Sequence, residues 1–478
     1  LGDNMNNILN KTLPVAVLGA GPVGLAAAAH LVARGFTPLI LEGGAQVASN
    51  LESYRHVRLF SPWQYNVDKA ARGLLLEAGW QAPEPEALPT AGEIVEHYLK
   101  PLAALPALAT GLRLGHRVVA VTRVGFDKVK TRGREDAPFV IRAATPEGER
   151  EYLASAVIDA TGTWSQPNPL GVGGLPAQGE SALRDRIAYG MPDVLGAERQ
   201  RYAGRRVLVA GAGHSAAGSL LALATLAEQA PGTRLVWVIR GRQSAKLFGG
   251  GEADGLAARG LLGMRLKALK QSGRLELHEE FRIASLTATA SGITVSGDTG
   301  ATIEGVDEII AATGARPNLD ITRELRVRHD PWLESTDLLA PLIDPNEHSC
   351  GTVRPHGHRE LAHPEHGYYA VGAKSYGRAP NFLMATGYEQ VRSVVAALAG
   401  DMLAADDVQL ELPETGVCST RQAYDREPVA SACCGGPAPS QETACCVADA
   451  EAKEQGKGGC GCPSLPNLAP SARPACCA

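Results

Sequence analysis

Two glycine clusters are the residues in this sequence best placed to do chemistry. Gly19, Gly21 and Gly24 stand in the spacing Gly-x-Gly-x-x-Gly, and Gly211-x-Gly213-x-Ser215-Ala216 repeats it with alanine in the last position. In such a turn the first glycine permits the bend and the second lets backbone amides approach a pyrophosphate. The third small residue lets the next helix pack on the strand, and the helix N-terminus favours phosphate charge. The flanks supply the elements this demands. Residues 15–18 are a β-type run, 25–33 an Ala-rich helical run, and 39–41 a second strand closed by Glu42. The second copy runs through a strand at 206–210, a helix at 220–227 and a strand at 235–239, followed by Arg240, Arg242 and Lys246. A carboxylate after the second strand accepts hydrogen bonds from a ribose, whereas a cation there suits a 2′-phosphate. The two sites therefore read as FAD beside Glu42 and NADPH beside Arg240.

Cysteine offers a second kind of chemistry. Of ten cysteines nine follow Pro413, among them the vicinal pairs Cys433-Cys434, Cys445-Cys446 and Cys476-Cys477, and Cys460-x-Cys462. Thiolates this close chelate soft ions or exchange with disulfides, and the spacings define no closed tetrahedral site. Metal or metalloid capture, a thiol redox relay and a dispensable tail all remain open readings. His348, Cys350, His356, His358, His363 and His366 crowd another stretch, expected to be a substrate loop rather than a metal centre. Lys374, Tyr376 and Arg378 follow, as candidate ligands for an oxyanion.

The rest of the chain positions these groups. At 478 residues, 45% of them hydrophobic, it has room for two or three domains with real cores. A formal charge of −5 argues against nucleic acid and anionic membrane as partners. The apolar stretch 14–33 is interrupted by three glycines and follows no basic segment, so it reads neither as a signal peptide nor as a membrane span, and the body reads as cytoplasmic. Thr90 and Glu93 have capping-box spacing before a helix. Residues 157–162 and 309–314 are apolar strands that both end in Ala-Thr-Gly, with Thr161-Gly162 and Thr313-Gly314 expected at the cofactors. They bracket the second nucleotide unit as two crossings between domains. A strand at 368–372 and a helix starting at Gly387, whose free amides could face an acceptor, complete the set. The expected fold is α/β, with two Rossmann-like domains. An FAD domain of the glutathione-reductase type (14–195 and 305–402) holds an inserted NADPH domain (196–304), and a flexible Cys-rich tail (413–478) follows.

This ordered set of motifs resembles the flavoproteins with two dinucleotide-binding domains. It is most similar to flavin-containing monooxygenases and to the flavoprotein monooxygenases of arsenic- and cation-resistance operons. The resemblance implies an FAD- and NADPH-dependent oxidoreductase of monooxygenase type. Hydride would pass from NADPH to FAD, and molecular oxygen would then be activated at the flavin for a small-molecule or metalloid substrate in arsenic detoxification, with a homodimer as one possible assembly. It also sets the segment 58–66 near the flavin ring, with Trp63 as a cover and Asn66 as a hydrogen-bond donor to oxygenated flavin. Ala177 and Leu183 stand where the monooxygenase fingerprint has Phe and His, and Ala373 where disulfide reductases carry an Asp. Two alternatives are a flavin reductase passing electrons to tail-bound metal or disulfide, and a non-catalytic metal-sequestering flavoprotein.

Overall fold

The computed structural model describes residues 13–242, 257–348, 353–380 and 382–410. Lys246, Cys350 and the whole Cys-rich segment 413–478, with its proposed thiol ligands, lie outside the described residues.

Two parallel sheets of five strands carry the architecture, and they are built alike. In the first the order is Tyr368–Ala370, Ala156–Asp159, Val15–Leu18, Pro38–Leu41 and Leu112–Arg113. In the second it is Ile187–Tyr189, Glu308–Ala311, Arg206–Ala210, Arg234–Val238 and Leu275–His278. Each glycine-turn strand is thus flanked on one side by its Ala-Thr-Gly strand and on the other by the strand ending before Glu42 or Arg240.

The strands are apolar throughout because both faces are covered. Val15, Val17 and Ile40 point to a core shared with helices Pro22–Ala33 and Met384–Leu398. Ala16, Leu18, Leu39 and Leu41, one residue out of step, meet Phe139 and Ile141 of a three-stranded antiparallel sheet. The second sheet repeats the arrangement. Val207, Val209 and Trp237 pack with helices His214–Gln229 and Ala257–Gln271, while Leu208, Ala210 and Val236 face Ile293 and Val295 of another antiparallel sheet.

Several expected boundaries move. The strands Ile187–Tyr189 and Glu308–Ala311, assigned above to the FAD domain, pair in the second sheet. Glu308–Ala311 lies beside Arg206–Ala210 and Ile187–Tyr189 beyond it, and their apolar side chains join the core of that sheet. The crossings themselves come just after the Ala-Thr-Gly turns. Asn168 N–H donates to Gly314 O at 2.9 Å and Arg316 N–H to Gln166 O at 2.9 Å, so outgoing and returning segments run side by side. The capping box forms as expected, with Glu93 N–H donating to Thr90 Oγ1 at 3.1 Å and Thr90 N–H to Glu93 Oε2 at 2.6 Å. Among the described residues no helix is long and apolar enough to cross a membrane.

Candidate functional site

The first glycine turn gives each glycine a separate task. Gly19 adopts φ +94°, open to few residues but glycine. A Cβ at Gly24 would lie 2.0 Å from Gly19 O, so only glycine lets the helix approach its strand this closely. Gly21 is different, because a Cβ there would meet no atom within 4 Å. That space is the edge of a cavity of about 660 Å³ lined by Gly19, Gly21, Glu42, Thr161, Gly162 and Met384 among others. Helix Pro22–Ala33 begins at its rim with Gly21 as N-cap, so its free amides face a space fit for a pyrophosphate. Glu42 closes the second strand as expected. Its two oxygens accept from Ala20 N–H and Gly44 N–H, each at 2.8 Å, which stiffens the turn while the carboxylate lines the cavity.

The floor of this cavity is a buried ionic network. Lys374 Nζ lies 2.7 Å from Asp159 Oδ2 and donates to Thr161 Oγ1 at 3.1 Å and to Asn318 O at 2.8 Å. Thr161 in turn donates to Asp159 Oδ1 through N–H and hydroxyl. Tyr368 donates to Asp159 Oδ2 at 2.9 Å, and burial, reinforced by that carboxylate, holds its hydroxyl protonated far above the ordinary tyrosine range. Lys374 is therefore withdrawn from the oxyanion role expected of it. Tyr376 is buried against His356 and Phe382, which leaves Arg378 as the exposed member of that trio.

The second glycine turn repeats the first. Gly211 has φ +139° and its Cβ would come within 2.2 Å of Ala312 O, while Gly213 again opens on empty space. Helix His214–Gln229 starts directly after it, earlier than the periodicity indicated, with Ser215 in its first turn and Ala216 fully buried. Arg240 is exposed beyond strand Arg234–Val238, with no ion pair among the described residues, whereas Arg242 is held 2.9 Å from Glu280. Thr313 and Gly314 brace the crossing: Thr313 Oγ1 donates to Asn168 O at 2.5 Å.

Three expectations about site residues give way to different roles. Asn66 is fully buried and does not line the cavity. Its Oδ1 accepts from Ser61 Oγ at 2.8 Å, and its Nδ2 donates to Ser61 O and Pro62 O. That amide locks its own turn. Trp63 likewise faces away, into a second cavity with Trp80 and Tyr388. The segment 58–66 still reaches the cofactor region, through Leu59 in the cavity wall and Phe60, whose ring stands 5.3 Å from His214 at the start of the second glycine helix. Gly387 is not the start of its helix but lies one turn inside, donating to Leu383 O at 3.3 Å. It is needed because a Cβ there would fall 2.6 Å from Val23. The wall residues Tyr54 and Trp164, with ring centroids 4.6 Å apart, were not legible beforehand, since neither sits in a motif.

The histidine stretch is a set of separate structural contacts. His348 Nε2 contacts Pro341 O, His356 lies between Arg354 O and Gln390, and His358 meets Asp406 at 2.9 Å. His363 Nδ1 accepts Arg328 N–H at 3.2 Å, and burial drives its pKa down to about 4. No group of three potential metal ligands occurs among the described residues.

Residues 16–349 match the family model described as pyridine nucleotide-disulphide oxidoreductase. The chain belongs to this family of oxidoreductases. No curated protein sequence matches it. Among solved structures it is similar to a bacillithiol disulfide reductase from Bacillus cereus, with TM-score 0.60 and 18% identity over 81% of this chain and 99% of that one. It is similar as well to an FAD-bound cadaverine monooxygenase of desferrioxamine biosynthesis from Erwinia amylovora, with TM-score 0.57 and 14% identity over 84% and 97% of the chains. A third is an ornithine N-hydroxylase from Kutzneria sp. 744, solved with reduced FAD, NADP+ and L-ornithine, with TM-score 0.52 and 16% identity over 82% and 98%. The Erwinia protein was thus solved with FAD and the Kutzneria protein with FAD and NADP+, and at these identities the likeness is one of fold.

Proposed function

We propose that the chain is an FAD- and NADPH-dependent oxidoreductase of the monooxygenase type. The observation that carries the cofactor reading is the pair of glycine turns, each opening on space at Gly21 and Gly213 where an added Cβ would meet nothing. FAD fits the cavity that runs from Glu42 past Thr161 to Met384, and NADPH fits the turn at Gly211 and Gly213 with Arg240 at its adenosine end.

When bound, the flavin supplies hydride acceptance from NADPH and reactivity toward oxygen. The chain's residues supply binding, orientation and exclusion of water. Gly19, Gly21 and the first turn of helix Pro22–Ala33 hold the pyrophosphate, and Glu42 the ribose. Leu59, Phe60, Tyr54 and Trp164 wall the space between the two nucleotide units and keep bulk water from it. The Asp159–Lys374 pair holds Thr161 and Asn318 in the cavity floor.

Oxygen rather than a disulfide is favoured as electron acceptor by a sequence feature, because Cys350 is the one cysteine before Cys418 and no cysteine pair accompanies the flavin-binding segments. The vicinal cysteines after Pro413 favour a second reading, in which electrons pass to a soft metal or to a disulfide held there. That reading rests on sequence alone.

The holoprotein, released flavin identified by chromatography, is reduced anaerobically with NADPH or NADH and then mixed with oxygen, in full-length form and truncated after Leu412. Faster reduction by NADPH, and oxygen consumption that survives truncation, support the proposal. Failure of NADPH to reduce the flavin overturns it, and electron uptake by a disulfide or bound metal that truncation abolishes puts the relay in its place.

A further inference from the structure

Two arginines converge on a glycine loop. Gly173 and Gly174 have φ +77° and +78°, and a Cβ built on Gly174 would lie 3.5 Å from Arg316 Nη2 and 4.0 Å from Arg378 Nη2. Both are ordinary contact distances, so the loop at Gly174 lies against two guanidinium groups at once. Arg316 is anchored by its Nε, which donates to Asn168 Oδ1 at 3.0 Å, while its Nη2 is shut off from solvent with no hydrogen-bond partner. Neither arginine makes an ion pair with a carboxylate among the described residues. A buried guanidinium nitrogen left unbonded is costly unless a ligand completes it.

The position ties the pair to the redox site. Arg316 lies two residues before Asn318, and Asn168 four after Trp164, both of which line the cavity. Arg378 sits between Ala373 and Phe382, which line it too. Arg316 also follows closely on Ala312, whose carbonyl packs on Gly211 of the second turn. Both cations are therefore carried by segments that also supply residues to the cavity wall.

We propose that Arg316 and Arg378 form an anion subsite that takes the carboxylate, or a comparable planar oxyanion, of the enzyme's small substrate. The planar fork of each guanidinium suits two-point binding of such a group. Gly174 places no side chain between them, and Asn168 holds Arg316 in place. The substrate class is thus an organic acid or amino acid, bound by its anionic end so that its remainder extends toward the cavity. This rests on the reading of the cavity as an oxidoreductase site. The same chemistry could serve a phosphate of the nicotinamide cofactor, and the test separates the two sources.

Benzoate, its neutral isostere benzamide, and NADP+ are titrated into the FAD-loaded protein by calorimetry and by the flavin difference spectrum, with FAD content as the check on folding. Saturable binding of benzoate but not benzamide is expected. Arg316→Gln, Arg378→Gln and Gly174→Ala should each raise the Kd for benzoate roughly ten- to a hundredfold. Equal binding of benzoate and benzamide, or an unchanged Kd in the variants, overturns the subsite. If the variants weaken NADP+ and leave benzoate untouched, the arginines hold the cofactor's phosphate instead. The calorimetric comparison does not depend on flavin reduction, so an absence of NADPH reactivity would defeat the proposed function while still deciding the subsite.

Discussion

Lys374 Nζ and Asp159 Oδ2 lie 2.7 Å apart with side chains 1% and 0% exposed, joining the loop after strand Tyr368–Ala370 to the end of strand Ala156–Asp159 beneath the cavity. Breaking a buried pair by removing one partner strands the other charge, at a cost of about 3–5 kcal/mol. Lys374→Met is expected to lose stability on that scale in urea unfolding of the holoprotein and to release FAD more readily. The double variant Asp159→Asn, Lys374→Met should recover part of the loss; full additivity would show that the two charges do not act as a pair.

Gly21 and Gly24 separate affinity from folding. Gly24→Ala drives a methyl group into Gly19 O, so the expected cost exceeds the roughly 1–3 kcal/mol of ordinary overpacking, and little folded protein should be recovered. Gly21→Ala meets no protein atom and should cost about 1 kcal/mol as an N-cap change. Its FAD affinity, measured by fluorescence titration, should nonetheless fall at least about tenfold, because the methyl would occupy the place proposed for the phosphate.

The proposed 2′-phosphate contact at Arg240 predicts a choice between nicotinamide cofactors. Arg240→Ala is expected to raise the KM for NADPH by roughly ten- to a hundredfold, in line with loss of a charged hydrogen bond, and to leave the KM for NADH unchanged. Steady-state kinetics with both cofactors checks this. An equal effect on both would move the phosphate site elsewhere.

Asn66→Ala should act on stability and not on coupling. The change deprives Ser61 Oγ, Ser61 O and Pro62 O of partners in a buried turn, at about 1–3 kcal/mol for each group left unsatisfied. A normal ratio of hydrogen peroxide to NADPH consumed, together with a lowered unfolding midpoint, is the expected result.

His363 gives the fold a dependence on mild acid. Its pKa, about 4 in the native protein, is held below the ordinary value of 6.5 by burial, and the Arg328 N–H that it accepts requires a neutral ring. Between pH 6.5 and 4 the unfolded chain binds a proton that the native protein refuses, so stability falls as pH drops through this window, by about 3 kcal/mol at most. Below pH 4 both states are protonated and the contribution is flat. His329, whose ring stands 5.4 Å from that of His363, and His356 are lowered by burial as well and add to the slope. Thermal unfolding of His363→Gln across pH 4–7 should show a shallower decline than the parent.

Features that are local along the chain were legible in the residues themselves. Gly19, Gly21, Gly24 and Glu42 form one continuous strand, turn, helix and strand, so their spacing alone prescribes the backbone they need, and the same holds for Gly211 to Arg240 and for the Thr90–Glu93 capping box. The identical ends at Thr161 and Thr313 disclosed two equivalent strands, although not that Glu308–Ala311 pairs in the second sheet. That choice depends on which apolar face is left uncovered. Tertiary structure alone decided the rest. Asn66 looked available until Ser61 and Pro62 took its amide, Lys374 looked exposed until Asp159, more than two hundred residues away, drew it into the floor, and Gly387 proved to be a contact with Val23. Arg378 was legible as a candidate for an oxyanion, but nothing in the pattern of residues 171–174 and 316 foretold a second guanidinium beside it about a glycine. Hydrogen bonds and ion pairs between distant segments follow from how helices and sheets stack, and stacking is set by the sum of buried contacts, which no local spacing records.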